Sequence, residues 1–142
     1  SNPRGKGALF LLNTGRARRT EPLVNLFLEK CRQEEFNRLL EFKLSPVTNL
    51  CIDSLLEGDF FQLIHSFREL SLFQQEHLGP MIPKLLGALW TEGLKSNDFY
   101  LKLCGAGGGG FFLGIAPDFQ KARGALVGHE MRPILRFDIE ES

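Results

Sequence analysis

The most unusual residues of the sequence lie in the segment 101–116, LKLCGAGGGGFFLGIA. Residues 105–110 of this segment consist of five glycines and Ala106. Glycine loses more conformational freedom on folding than any other residue, so a run of glycines indicates that the backbone approaches something closely. Backbone N–H groups that no Cβ atom shields can surround an anion or pack against a second loop. The segment is therefore the first candidate for a functional site, and a flexible hairpin tip is the alternative.

Two well-known phosphate-binding loops do not account for these glycines. Residues 105–110 fit the pattern Gly-x-Gly-x-x-Gly, but a strand-like run follows them, where a dinucleotide-binding loop requires a helix. The Gly-Lys-Ser/Thr of a Walker A loop does not occur in the sequence. Any contribution of the glycine loop to binding is therefore expected from its main chain and its shape.

Basic residues near this loop are candidates for contact with an anion. Arg16, Arg18 and Arg19 follow the first strand-like segment, and Lys102 precedes the glycines in the second. Each has an alternative interpretation, because the arginines can lie in a solvated loop and strand alternation can turn Lys102 to solvent. The histidines and the acidic C-terminal residues show no spacing typical of a catalytic triad or a metal site. We therefore predict no catalytic residue and no metal ligand within this chain.

Composition is that of one globular domain of 142 residues, 43% hydrophobic, with 17 Lys plus Arg balancing 17 Asp plus Glu. Zero net charge predicts no general attraction to nucleic acid or to an acidic membrane, and no apolar run approaches the ~20 residues of a membrane span.

Cys31, Cys51 and Cys104 are too scattered for a disulfide framework or a zinc site, so we expect buried thiols in a reducing cytoplasm. The first residue, Ser1, is not methionine, which suggests a chain cut from a longer protein.

Hydrophobic periodicity predicts strands near both ends of the chain. Short apolar runs with strand character occupy residues 8–12, 100–103, 111–115 and 131–139. Pro133 lies within the last run and indicates an edge position or a bulge, because proline cannot donate to a neighbouring strand.

Helices are predicted between these strands, because residues 20–89 carry apolar side chains at helical spacing. Thr20 is expected to cap the first helix, and breaks are expected at 45–46, 58–59 and 79–80. A last helix is predicted over 117–127. The order of elements predicts a single α+β domain, residues 1–142, with a ferredoxin-like sandwich of a four-stranded antiparallel sheet and several helices on one face.

A family resemblance adds to this interpretation. Residues 102–110, KLCGAGGGG, resemble the third signature motif of the GHMP kinases, whose common form is Lys-Leu-(Thr/Ser)-Gly-Ala-Gly-Gly-Gly-Gly. Residues 10–15 and 20–24, FLLNTG and TEPLV, with arginines between them, are similar to the strand, turn and helix that open the C-terminal domain of mevalonate kinases. Cys104 departs from the motif, and its thiol is a weaker hydrogen-bond donor than the usual hydroxyl.

The resemblance implies the C-terminal domain of an ATP-dependent kinase, most like a mevalonate kinase, which transfers a phosphoryl group from Mg-ATP to the mevalonate 5-hydroxyl. In such kinases the ATP-cradling loop, the Mg²⁺-binding carboxylate and, in many members, a catalytic Asp belong to the N-terminal domain, so this chain alone is expected to be inactive. Its implied contribution is one wall of the active site. The implied residues are Gly105, Ala106, Gly107, Gly108 and Gly109 of the substrate- and phosphate-binding loop, with anion contacts from Arg16, Arg18 and Lys102.

Two alternatives stay open: another GHMP kinase that acts on a sugar or a heptose phosphate, and a non-catalytic ligand- or partner-binding domain of the same fold. The implied partners are a small-molecule substrate and the chain's own N-terminal domain, with a homodimer as a further alternative. Phe36, Phe42 and Phe73 are expected to exceed what one core can hold and to supply an exposed apolar patch.

Overall fold

The computed structural model describes residues 2–105 and 108–139. The strands in these residues are β1 (Gly7–Asn13), β2 (Tyr100–Leu103), β3 (Phe111–Ala116) and β4 (Glu130–Phe137). The helices are α1 (Thr20–Cys31), α2 (Glu34–Leu39), α3 (Ser45–Glu57), α4 (Phe60–His77), α5 (Lys84–Ser96) and α6 (Phe119–Ala125). A π-helical turn, Leu40–Leu44, joins α2 to α3, and a 3₁₀ turn, Gly79–Met81, precedes α5.

The four strands form one antiparallel sheet in the order β2-β3-β1-β4. Because β3 lies between β1 and β2, and β1 lies between β3 and β4, both connections that contain helices are crossovers. The predicted α+β class with a four-stranded antiparallel sheet is therefore confirmed. The strand order is also compatible with a ferredoxin-like sandwich.

The edge strand β4 contains a bulge at its proline. Leu9 of β1 lies opposite Leu135, whereas the next residue, Phe10, lies opposite Pro133, so Ile134 is the extra residue in β4. A proline fits here because it cannot donate to a ladder and because β4 lies at the edge of the sheet. The prediction of an edge position or a bulge at Pro133 is confirmed.

One face of the sheet, here called the Phe10 face, is fully covered along β1. It carries Ala8, Phe10 and Leu12 of β1, each 0% exposed. The ring of Phe10 lies 5.7 Å from the ring of Phe119, so α6 packs on this face.

The opposite face, here called the Leu9 face, also carries helices. Leu9 belongs to it, as do Leu113 and Lys102, which lie opposite each other in the register. Leu63 and Phe67 of α4 line a cavity together with these three residues, so α4 packs on this face. The prediction of helices on one face is therefore wrong. Consecutive apolar residues in β1 place hydrophobic side chains on both faces, and each face needs cover.

The chain stays helical through Ser45 and Pro46, where the sequence predicted a break. The N–H of Ser45 bonds to the carbonyl of Leu40, five residues earlier, at the end of the π-helical turn. This wider turn accommodates Pro46, whose ring would collide with the carbonyl four residues earlier in a regular α-helix. The predicted end of a helix at 45–46 is therefore wrong, whereas Gly58 does end α3, in a left-handed conformation with φ of 72°.

Most of the phenylalanines named above fit the core. Phe36 and Phe73 are 4% and 2% exposed, so the expectation that they lie on a partner surface is wrong. Phe36 packs edge-on against Phe27 of α1, with ring centroids 5.9 Å apart. Phe42 is 73% exposed, in agreement with its position off the apolar stripe of its helix.

The thiols of Cys31, Cys51 and Cys104 are free, and all three are half-buried rather than fully buried as predicted. The reason is that α1 and α3 lie at the surface and that Cys104 begins a loop. Burial raises the pKa of the Cys51 thiol, against opposing effects of a hydrogen bond with Ser66 and of the positive charge of Lys102.

This raised pKa predicts an alkaline loss of stability that depends on Cys51. The folded state favours the neutral thiol, so the stabilisation is complete below the unfolded-state pKa and is lost as the pH rises through the higher folded-state pKa. We expect the free energy of unfolding to fall less on the alkaline side in Cys51→Ala than in the unsubstituted chain, as measured by urea unfolding at several pH values. An equal alkaline loss in both proteins would contradict the prediction.

Candidate functional site

The second half of the glycine loop is held against the loop that follows β1. The carbonyl oxygen of Gly110 accepts hydrogen bonds from the backbone N–H of Thr14, at 2.9 Å, and from Thr14 Oγ1, at 3.0 Å. The carbonyl oxygen of Gly108 accepts one from the N–H of Arg18, at 2.5 Å. The two loops meet at the end of the sheet where β1 and β2 end and β3 begins. We call residues 14–20, 105 and 108–110 the glycine–arginine junction.

Two of the glycines are required by this contact. A Cβ atom at Gly108 would lie 2.5 Å from Thr20 Oγ1 and 3.1 Å from the carbonyl oxygen of Arg18. Gly110 has a φ of 79°, and a Cβ atom there would lie 3.2 Å from the carbonyl carbon of Arg16. Any larger residue at 108 or 110 would therefore push the two loops apart. At these two positions the glycine backbone approaches the arginine-rich loop closely.

The other glycines have different surroundings. Gly105 has a φ of 58°, which favours glycine, and the space around its missing Cβ is open. Gly109 is exposed, and the nearest atom to a Cβ there would be in the Phe111 ring, at 3.9 Å. The predicted binding residues Ala106 and Gly107 lie outside the described residues. The open side of the loop is therefore at Gly105 and Gly109, and its packed side is at 108 and 110.

Arg18 is the anchored member of the arginine run. Its guanidinium donates to the carbonyl oxygen of Met81 at 2.5 Å, and burial lowers its pKa, although an arginine remains charged at physiological pH. Arg16 and Arg19 are exposed, and Arg19 pairs with Glu21 at 3.8 Å, a surface contact that contributes little to stability. The junction therefore carries one fixed guanidinium and two exposed arginines.

The start of α1 completes the junction. Thr20 is the first residue of the helix rather than its cap, so the prediction that its hydroxyl caps α1 is wrong. The Thr20 hydroxyl instead lies against Gly108, where a side chain is absent and a close approach is possible. The positive end of α1 therefore faces the glycine loop, which adds to the positive charge of the arginines.

Lys102 takes a different position from the arginines. It lies on the Leu9 face of the sheet, and its Nζ donates to the carbonyl oxygen of Leu103 at 2.7 Å. The predicted set of anion contacts is therefore divided. Arg16 and Arg18 belong to the junction, and Lys102 lines the cavity under α3 and α4.

Two residues that hold the junction were not found from the sequence. Thr14 fixes Gly110, and nothing in the sequence distinguishes this threonine from one in any turn. Gln74 is buried in α4, and its Oε1 accepts a hydrogen bond from the N–H of Leu103 at 2.8 Å, which fixes the end of β2 just before the loop. A signal for Gln74 did exist, because it lies seven residues after Phe67 on the apolar stripe of α4 and is polar.

We expect Gln74→Leu to destabilise the chain by about 1–3 kcal/mol, because it leaves the buried N–H of Leu103 without its acceptor. Gln75→Leu is the matched control. It removes a half-buried hydrogen bond of 2.8 Å to Thr91 Oγ1 and leaves β2 untouched, so its cost should be about 1 kcal/mol or less. Chemical unfolding of both variants measures the difference, and equal losses would show that Gln74 does not fix the strand.

The junction offers the positive charge of its arginines and the N-terminus of α1, and it is therefore suited to an anion rather than to acid–base or metal chemistry. Within residues 2–105 and 108–139, no three His, Cys, Asp or Glu side chains are grouped closely enough to hold a metal ion. In the same residues, no helix combines the length and the apolar character needed to cross a bilayer. Comparisons of the chain with protein-family models, with curated proteins and with solved structures found no match.

Proposed function

We propose that this chain is the C-terminal domain of an ATP-dependent small-metabolite kinase of the GHMP kinase superfamily, most like the mevalonate kinases. The observation that carries the proposal is the glycine–arginine junction. A glycine loop whose sequence resembles the third motif of that superfamily is fixed to an arginine-rich loop and to the start of α1. The compatible strand order of the sheet supports the same proposal.

The physical argument concerns charge. Phosphoryl transfer needs from the protein mainly positioning and electrostatic stabilisation of the transferring group and of an anionic acceptor. The junction supplies the exposed guanidinium of Arg16, the fixed one of Arg18 and a helix N-terminus at the same end of the sheet. Open space at Gly105 leaves room for a phosphoryl group or a substrate carboxylate to approach the main chain.

The chain's own residues do not fit Mg²⁺, since the described part of the chain groups no carboxylates into a cation site. In the proposed kinase, ATP and Mg²⁺ are bound mainly by the N-terminal domain, which is also the expected partner of exposed apolar residues such as Phe42 and Leu56. A homodimer is the alternative partner for them. Three free thiols suit a reducing cytoplasm as the site of action.

Two alternative functions are separable by experiment. A kinase for a sugar or a heptose phosphate shares the glycine motif, and a non-catalytic binding domain agrees with Cys104 at a position where the motif has a hydroxyl. ATP consumption by the full-length protein that contains this chain should be measured with mevalonate, galactose, homoserine and a heptose phosphate in parallel. We expect turnover with mevalonate alone. Turnover with a sugar would favour a sugar kinase over a mevalonate kinase within the same superfamily. A folded protein without any turnover would favour the non-catalytic binding domain.

A further inference from the structure

A cavity of about 220 Å³ lies on the Leu9 face, between the sheet and the helices α3 and α4. Its floor is buried and apolar, formed by Leu63, Phe67 and Leu70 of α4. Its rim is open to solvent, since Ile52 and Leu55 of α3 are 51% and 40% exposed. The cavity is therefore a pocket that a ligand can enter rather than a sealed void.

Helix α3 forms one side of the cavity. Thr48 and Cys51 are the residues of α3 that face the floor, together with the rim residues. A concave apolar pocket that opens to solvent can admit a small ligand.

One cation stands in the wall of this apolar cavity. Lys102 lines it, and the positive charge of Lys102 acts on the Cys51 thiol. Its Nζ donates to the carbonyl oxygen of Leu103, which accounts for one of the three donors of an ammonium group. In the part of the chain that the structure describes, no carboxylate oxygen lies within 4.0 Å of this Nζ.

We propose that this cavity binds an aliphatic carboxylate of about eight carbons, with its head group at Lys102 and its chain on the floor formed by α4. Small-ligand sites combine an apolar lining with a few placed polar groups in this way. The length of the ligand follows from the volume of the cavity. With ~30 Å³ for each methylene group, the share of a water molecule in the liquid, 220 Å³ holds about seven methylene groups. Binding here requires no phosphoryl transfer and stands apart from the kinase proposal.

Calorimetric titration of the 142-residue chain with octanoate, octan-1-ol and butanoate tests the ligand class. We expect one octanoate per chain, octanol binding about tenfold more weakly because it lacks the charge, and butanoate at least a hundredfold more weakly because it buries fewer methylene groups. Octanol that binds as tightly as octanoate would overturn the role of Lys102. The absence of octanoate binding would overturn the proposal.

Substitutions locate the ligand. Lys102→Met keeps most of the side-chain volume and removes the charge, and it should weaken octanoate binding about tenfold. Thr48→Phe should fill the cavity and abolish binding, whereas Asn49→Phe adds the same ring to the neighbouring exposed residue of α3 and should bind normally. Thermal unfolding checks that each variant is folded. Unchanged binding in either Lys102→Met or Thr48→Phe would contradict the proposal.

The thiols provide a readout that does not depend on any substitution. Cys51 lines the cavity, and Cys31 and Cys104 are half-buried elsewhere in the same chain. Saturating octanoate should slow the alkylation of Cys51 by iodoacetamide several-fold and leave the rates of the other two thiols unchanged, as followed by peptide mass spectrometry. Equal slowing of all three, or of none, would mean that octanoate does not occupy this cavity.

Discussion

Replacing Gly108 with alanine is expected to lower the turnover of the proposed full-length kinase about a hundredfold, the scale of loss when catalytic elements move by about 1 Å. The added Cβ would lie 2.5 Å from Thr20 Oγ1 and 3.1 Å from the Arg18 carbonyl oxygen. The hydroxyl can rotate away, but the carbonyl belongs to the backbone, so the two loops must separate. The expected loss of folding stability is about 1–3 kcal/mol, as for other overpacked contacts.

Gly109→Ala is the matched control for this substitution. A Cβ at Gly109 would be 3.9 Å from its nearest neighbour, so the folding stability should stay close to that of the unsubstituted protein. A second test is the double variant Gly108→Ala with Thr20→Ala, which removes the hydroxyl and should recover part of the stability as a non-additive effect. Unchanged turnover in the Gly108→Ala protein would remove the glycine–arginine junction from the proposed active site. The stability difference tests the junction itself and does not depend on kinase activity.

Gly114→Ala is expected to destabilise the isolated chain by about 3 kcal/mol, at the upper end for overpacking a core. A Cβ at Gly114 would lie 2.9 Å or less from three atoms of the Phe10 ring. Phe10 cannot move aside easily, because it is fully buried and the ring of Phe119 packs against it. The midpoint of thermal unfolding should fall by about 10 °C for a domain of this size.

Gly87→Ala serves as the control with the opposite sign. Gly87 lies inside α5, and the space around its missing Cβ is open, so alanine should stabilise the chain by about 0.5–1 kcal/mol through helix propensity. Phe10→Leu combined with Gly114→Ala should be less destabilised than the sum of the two single variants, because the shorter side chain makes room for the new methyl group. Additive losses would show that Gly114 is not needed for contact with Phe10.

Local patterns in the sequence were sufficient for the four strands and the α+β class. The runs of apolar residues that predict β1, β2, β3 and β4 depend on neighbouring positions alone, and so does the interpretation of Pro133 as an edge or bulge residue. The break expected at Pro46 failed for a tertiary reason. A π-helical turn accommodates the proline, and only the packing of the surrounding helices decides whether that turn forms.

The sequence by itself determined which residues are unusual, namely the glycines of 105–110 and the arginines of 16–19. Only the tertiary structure decided that Gly108 packs against Thr20, that Arg18 reaches Met81 and that Lys102 faces a cavity instead of the glycine loop. Gly108 and Thr20 lie 88 positions apart in the chain, and Arg18 and Met81 lie 63 positions apart. Lys102 and Cys51, which both line the cavity, lie 51 positions apart. Sequence patterns report the periodicity of one element, whereas a site depends on which elements meet, and that is set by the packing of both faces of the sheet.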